Sequence, residues 1–166
     1  AGEPDAELRL AAAEALGKIA SRQSGKILQV LACDPEASVR KAAAKALSRL
    51  HDRDTLPALK RLSKDDDENV RAAAMRALGT FPPTLAEPVV IHLLKKEENP
   101  ELRAFLVTLL GRIASGNAFH VVMAETDSKY ASARRAAIEA LGFFGNETAT
   151  QKLITILRRS GSPEEK

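Results

Sequence analysis

The sequence predicts an all-α fold, a solenoid of about five short helix pairs. Three observations predict it. Alanine supplies 29 of the 166 residues, against 4% aromatics and no Trp, and Ala is the strongest helix former. The apolar positions follow a helical period, without alternation of period two. One segment also returns five times at a near-constant interval, which is the signature of a stacked repeat.

The five copies read EPDAELRLAAAEAL from Glu3, DPEASVRKAAAKAL from Asp34, DDDENVRAAAMRAL from Asp65, EENPELRAFLVTLL from Glu97 and SKYASARRAAIEAL from Ser128. The arginine column, Arg9, Arg40, Arg71, Arg103 and Arg134, advances by 31, 31, 32 and 31 residues. The leucines Leu16, Leu47, Leu78, Leu110 and Leu141 keep the same steps, and Gly17, Ser48, Gly79, Gly111 and Gly142 follow them. Counted from Val39, the residues Ala42, Ala43, Ala46, Leu47 and Leu50 stand at +3, +4, +7, +8 and +11. That is one stripe of a 3.6-residue helix.

In chain order, the first copy places Pro4 in a first helical turn, after the acid Glu3. The segment GKILQVLA then has room for a second helix of about ten residues, marginal alone and in need of neighbours. The second copy repeats the pattern with Asp34 and Pro35. TLPALKRLS follows, with Thr55 as a plausible cap. The third copy begins in KDDDEN, whose acids suit the positive end of a helix dipole. LAEPVVIHLLKK follows, with Thr84 as its cap. The fourth copy exchanges the small pairs Ala42-Ala43 and Ala73-Ala74 for Phe105-Leu106. NAFHVVMAE, capped by Asn117, leads to the fifth copy, which carries Ser128 in place of the acid, with Asp127 one residue away. ATQKLITILRR is the last helix, and residues 160–166 form a polar tail. Each copy supplies the wall that the next one needs.

At these columns the chain resembles HEAT repeats, particularly the short bacterial type related to those of phycobilin lyases, in the armadillo-like helical class. The shared pattern is acid-(Pro)-x-x-x-Val/Leu-Arg-x-Ala-Ala-x-x-Ala-Leu-Gly, and it spans roughly residues 3–159 as a single repeat domain. The resemblance implies a right-handed α-α superhelix in which the Val-Arg helices line a concave side and the alternate helices a convex one. It also implies that the chain opens on an inner helix without its outer partner, as a segment of a longer array would. The family's acid-Arg pair maps onto Glu3/Arg9, Asp34/Arg40, Asp65/Arg71 and Glu97/Arg103, and Ser128/Arg134 breaks it. With the acid at a helix start and the arginine at the edge of the buried stripe, each arginine is expected to reach the acid of an adjacent repeat. Asp34, Arg40, Asp65, Arg71, Glu97, Arg103 and Arg134 are therefore read as a structural ladder.

Signs of chemistry are weak. Net charge is +3, from 25 basic and 22 acidic residues, too balanced to imply nucleic acid by itself. The single cysteine, Cys33, excludes an internal disulfide framework and is expected as a small buried hydrophobe. His51, His92 and His120 fall in different repeats without metal-ligand spacing. No His-Glu dipeptide occurs, unlike the di-iron branch of the resembled family. GFFGNET is no phosphate loop, and KDDDEN lacks the rest of a calcium loop. One Tyr, Tyr130, at a predicted helix start and no Trp offer poor stacking platforms for bases. No apolar run approaches the length of a membrane span. The expectation is therefore a non-enzyme with no cofactor and no metal.

What remains is surface. Lys41, Lys45, Arg49, Arg76, Arg112 and Arg135 stand at outward positions of the Val-Arg helices, beside Glu14, Thr108 and Glu139. A flanking column, Ala13, Ala44, Met75, Val107 and Ile138, grows bulkier along the chain. Phe143 replaces Lys18, Arg49, Thr80 and Arg112 in another column. The candidate partner-binding set is Lys41, Lys45, Arg49, Met75, Arg76, Val107, Arg112, Ile138 and Phe143. The expected function is a non-catalytic protein-protein interaction scaffold holding a protein or peptide partner, monomeric in isolation and cytoplasmic, with periplasm and secretion left open. Two alternatives stand beside it. One is a lyase-like, cofactor-handling subunit, implied by the resemblance. The other is weak nucleic-acid binding through a basic inner face.

Overall fold

The computed structural model describes residues 5–161, which form ten α-helices, one 3-10 turn and no strand. Glu3 and Pro4 lie outside the described residues, as does most of the polar tail, though Ser160 and Gly161 continue the last helix. The helices are α1 (Ala6–Ile19), α2 (Arg22–Leu31), α3 (Ala37–Leu50), α4 (Leu56–Leu62), α5 (Glu68–Leu78), α6 (Pro83–Leu94), α7 (Pro100–Ile113), α8 (Gly116–Glu125), α9 (Ala131–Leu141) and α10 (Glu147–Gly161). The five motif copies are the odd-numbered helices and the intervening apolar segments the even-numbered ones, so the fold is a helical-repeat solenoid. It divides into two compact units, Ala1–Val89 and Val90–Lys166.

In the first unit α1, α3 and α5 pack in succession, and α2 lies against α1 and α3. Val39, Leu47, Leu28, Leu59, Leu62, Val70 and Leu78 are fully buried there, with Ala43, Ala44 and Ala74 between them. In the second unit α7 packs on α9, and α8 touches both; Leu106, Leu110, Val122 and Leu141 form its core. Close approach is built into the sequence at two points. A Cβ on Gly17 would stand 2.6 Å from the Cβ of Ala46, and one on Gly111 would stand 2.5 Å from that of Ala140. Glycine at these positions lets α1 approach α3, and α7 approach α9, nearly backbone to backbone.

Helix starts differ in detail from the sequence expectation. Asp34, Asp65 and Glu97 stand three residues ahead of their helices, and Pro35 lies in the turn before α3 rather than in its first turn. Their carboxylates accept the N–H two residues on, from Glu36, Asp67 and Asn99. The caps proper of α5 and α7 are Asp67, which accepts from Val70 N, and Asn99, which accepts from Glu101 N and Leu102 N. Thr55 precedes α4 but makes no side-chain cap bond; its hydroxyl donates to the Asp52 carbonyl instead. Thr84 lies inside α6, and Ser115 rather than Asn117 caps α8 by accepting from Ala118 N. Ends are also patterned. Ala20, His51, Ala114 and Gly145 occupy one column and all take the left-handed conformation, with φ near +50 to +58°. Pro82 holds that column in the third copy, where φ is locked negative, and α5 has already ended at Leu78.

Candidate functional site

The arginine column ties successive repeats together. Arg9 on α1 presents one edge of its guanidinium to Asp34 ahead of α3, with Nε donating to Oδ2 at 2.7 Å and Nη2 to Oδ1 at 3.0 Å. Arg40 on α3 does the same with Asp65, both bonds at 2.7 Å. Its Nη1 turns back to the carbonyls of Asp34 and Pro35, at 2.9 and 2.8 Å. One side chain thus clamps the turn before its own helix to the turn before the next. Arg71 Nη1 holds the carbonyls of Asp65 and Asp66 in the same manner. The hydrogen bond from Arg9 holds the Asp34 carboxyl below its ordinary 3.8, helped by the Glu36 amide and opposed by burial. Arg40 lowers Asp65 likewise, and is itself raised by that hydrogen bond. Such bidentate, charge-assisted pairs are the strong class of surface-proximal interaction.

The second unit keeps the clamp with a different acid. Arg103 on α7 donates through Nη1 to the carbonyls of Leu94 and Glu97, at 2.8 and 3.0 Å. Its Nε reaches Glu125 Oε2 at 2.9 Å, and Nη2 bonds Oε1. Glu125 is the last residue of α8 and is buried. It supplies the carboxylate that the fifth copy lost at Ser128, and the column reading missed it because it lies one turn upstream. The available signal was an acid closing an otherwise apolar helix. Asp127, nearer in sequence, accepts Lys152 Nζ at 2.8 Å instead, and that bond lowers its pKa. Arg134 holds the carbonyls of Ser128 and Lys129 and has no carboxylate partner among the described residues. Two cations lie over the Tyr130 ring, Lys129 Nζ 4.8 Å from its centroid and the Arg103 guanidinium 5.6 Å from it.

The first unit carries a groove of about 480 Å³ between α1 and α3. Leu10, Gly17, Ala42 and Ala46 give it an apolar floor. Its rim carries Lys18 and Glu14 from α1 and Lys41, Lys45 and Arg49 from α3, four cations against one acid. The three α3 cations recur every fourth residue, so their stems rise from one face at intervals of about 6 Å along the axis. The floor stays open because Gly17, Ala42 and Ala46 are small. No aromatic ring lines it.

The remaining candidates are dispersed. Arg76 on α5 and Arg112 on α7 are exposed and line none of this groove. Met75 and Val107 are fully buried, which corrects the expectation that their column forms an apolar strip for a partner. They are bulky because they fill the core. Ile138 on α9 is half-buried, and Phe143, just after α9, is 59% exposed. Cys33 is exposed, not buried, because it falls in the turn after α2 and outside the apolar stripe. His51 is a helix-end residue, and His120 lies exposed beside the Phe119 ring. Among the described residues no cluster of His, Cys, Asp and Glu is arranged to hold a metal, and no helix is long and apolar enough to cross a membrane.

Comparison with known proteins follows the same repeat. A family model described as HEAT repeats matches residues 1–79, 59–127 and 87–165. Among solved structures 23 chains match. One belongs to the complex of CpcE and CpcF of phycocyanin lyase from Nostoc sp. PCC7120, and aligns with a TM-score of 0.67 and 22% identity over 96% of this chain and 68% of that one. No curated protein matches.

Proposed function

Since the chain belongs to the HEAT-repeat family, we propose that it acts as a non-catalytic docking scaffold, with the α1–α3 groove as its seat for an acidic segment of a protein partner. One observation carries the reading: a preformed groove of about 480 Å³ whose rim is cationic and whose floor is small and apolar. Alternate side chains of an extended strand recur every 6.6–6.8 Å or so, close to the spacing of Lys41, Lys45 and Arg49. An acidic residue at every second position would therefore meet all three. Exposed ion pairs each contribute roughly 1 kcal/mol or less, so the affinity is expected to be modest, on the order of micromolar to millimolar, and strongly reduced by salt. The apolar floor and the lack of a stacking ring favour a peptide over a nucleic acid.

The test is binding of a fluorescent Asp/Glu-rich peptide by anisotropy, at low and high salt, to the parent chain and to Lys45→Glu/Arg49→Glu. The reading expects the double reversal to weaken binding at least about tenfold, equivalent to 1.4 kcal/mol, with an unchanged melting temperature. Equal affinity in both proteins would overturn it, as would preferential, steeply salt-dependent retention of DNA over the peptide. A second reading is a lyase-like, pigment-handling subunit, and its support is the likeness to a chain of the phycocyanin lyase complex. It expects a bound chromophore, visible as absorbance beyond the protein band in protein purified from pigment-containing cells.

A further inference from the structure

The α1–α3 groove changes character along its length. Arg9, near the start of α1, bonds Asp34 just ahead of α3. Gly17, near the end of α1, meets Ala46 near the end of α3. The two helices therefore run parallel, and the Gly17–Ala46 contact sets which residues stand level across the groove. Lys18 follows Gly17 directly and falls level with the interval between Lys45 and Arg49. Glu14 falls level with the interval between Lys41 and Lys45. Leu10 lies one turn further back, level with the stretch from Ser38 to Lys41. One end of the groove thus has cations on both walls, Lys18 against Lys45 and Arg49, and no acid lines it there. At the other end Lys41 shares the opening with Glu14, beside apolar Leu10 and neutral Ser38. Glu14, Lys18, Lys45 and Arg49 are exposed, and Leu10 and Lys41 are half-buried. Opposite charges on facing walls cancel part of each other's field. The attraction for an anion therefore rises along the groove, from Leu10 towards Arg49.

We propose that the groove reads the order of residues in a docked protein segment: two acidic side chains at the Lys45–Arg49 end, and an apolar side chain over Leu10 and Ala42 at the Lys41 end. This rests on the docking reading of the same groove and deepens it by naming the pattern of the partner. An extended segment presents three alternate side chains to Lys41, Lys45 and Arg49. An acid at the first of these positions meets Glu14 as well as Lys41, gains little, and leaves Leu10 uncovered. An apolar residue there covers Leu10 and meets no repulsion from Glu14. At the other two positions an acid has Lys45 or Arg49 on one wall and Lys18 on the other. The occupant is a protein segment because a nucleic acid carries a charge at every unit and cannot leave one end of the groove uncharged. Glu14 is then a specificity-determining residue, whose carboxylate penalises a segment that docks in the wrong order.

Three fluorescent peptides of one composition test this by anisotropy on the full chain. Their cores read LGDGD, DGDGL and DGLGD, each flanked by Gly-Ser. All three carry the same charge, so long-range attraction does not separate them. Whichever chain direction the groove accepts, one of the first two matches the proposed order, and DGLGD matches it in neither direction. The parent is expected to bind the matching peptide about threefold or more tightly than DGLGD, the scale of one exposed charge contact. Glu14→Gln keeps helix propensity and is expected to remove most of that preference by tightening DGLGD. Equal affinity of the parent for all three peptides would overturn the proposal, and so would a preference that Glu14→Gln leaves unchanged. If Lys45→Glu/Arg49→Glu still weakened all three in either case, the scaffold reading would stand without the order. Binding of none of them would overturn both together. Full displacement of the matching peptide by an equimolar oligonucleotide would place nucleic acid in the groove and overturn the proposal equally. Circular dichroism melts confirm that each variant is folded.

Discussion

Single side chains carry the joints of this stack. Asp34 accepts two hydrogen bonds from Arg9 and one from the Glu36 amide, and hydrogen bonds to charged groups contribute about 1.5–3 kcal/mol each. Asp34→Asn is therefore expected to cost about 2 kcal/mol in urea unfolding. Because the folded carboxyls of Asp34 and Asp65 titrate below the ordinary 3.8, their contribution is complete above that value and fades as pH falls through the folded pKa. The double variant Asp34→Asn/Asp65→Asn should then show a flatter loss of stability below that pH than the parent. Glu125 offers a sharper test of the clamp. Glu125→Gln should lower stability by a similar amount, and adding Ser128→Asp should recover part of it by restoring the acid column. No recovery would mean that Arg103 can use only the α8 carboxylate.

At the scale of helices, the contacts depend on what is missing as much as on what is present. Gly17→Ala adds helix propensity, about 1 kcal/mol, yet places a Cβ 2.6 Å from Ala46 Cβ and 2.9 Å from its Cα. Separating two helices costs about 1–3 kcal/mol, so net destabilisation is expected in a thermal melt. Gly116→Ala on α8 meets nothing within 4 Å and should be neutral or stabilising. The odd-numbered helices were legible in sequence because their stripe repeats in register, and the even-numbered ones because short apolar runs alternate with them. Caps were less legible. Ser115 and Asn117 are both good capping residues two apart, and only backbone geometry chooses Ser115. Met75 was misread for a related reason, since its burial depends on which side of a helix faces the next repeat, whereas Cys33 is exposed because it lies in the turn after α2. The side that faces the next repeat is marked by close approach at Gly17 and Gly111, which emerges only with coordinates.

For the molecule as a whole, the repeat accounts for the fold, and its irregularities account for the candidate sites. The cationic rim was visible as Lys41, Lys45 and Arg49 at fourth-residue spacing, but the small floor that turns it into a groove needs α1 beside α3. Arg76 and Arg112 share the charge without lining that groove. A scaffold of this kind predicts local recognition, without rearrangement of the core that the arginine clamps hold. The most direct measurement is an amide chemical-shift map of the labelled chain titrated with an Asp/Glu-rich peptide. Shifts concentrated at Lys18, Lys41, Lys45 and Arg49, and abolished by salt, are the predicted result. Shifts confined to α2 and α4, or none at saturating peptide, would contradict the account.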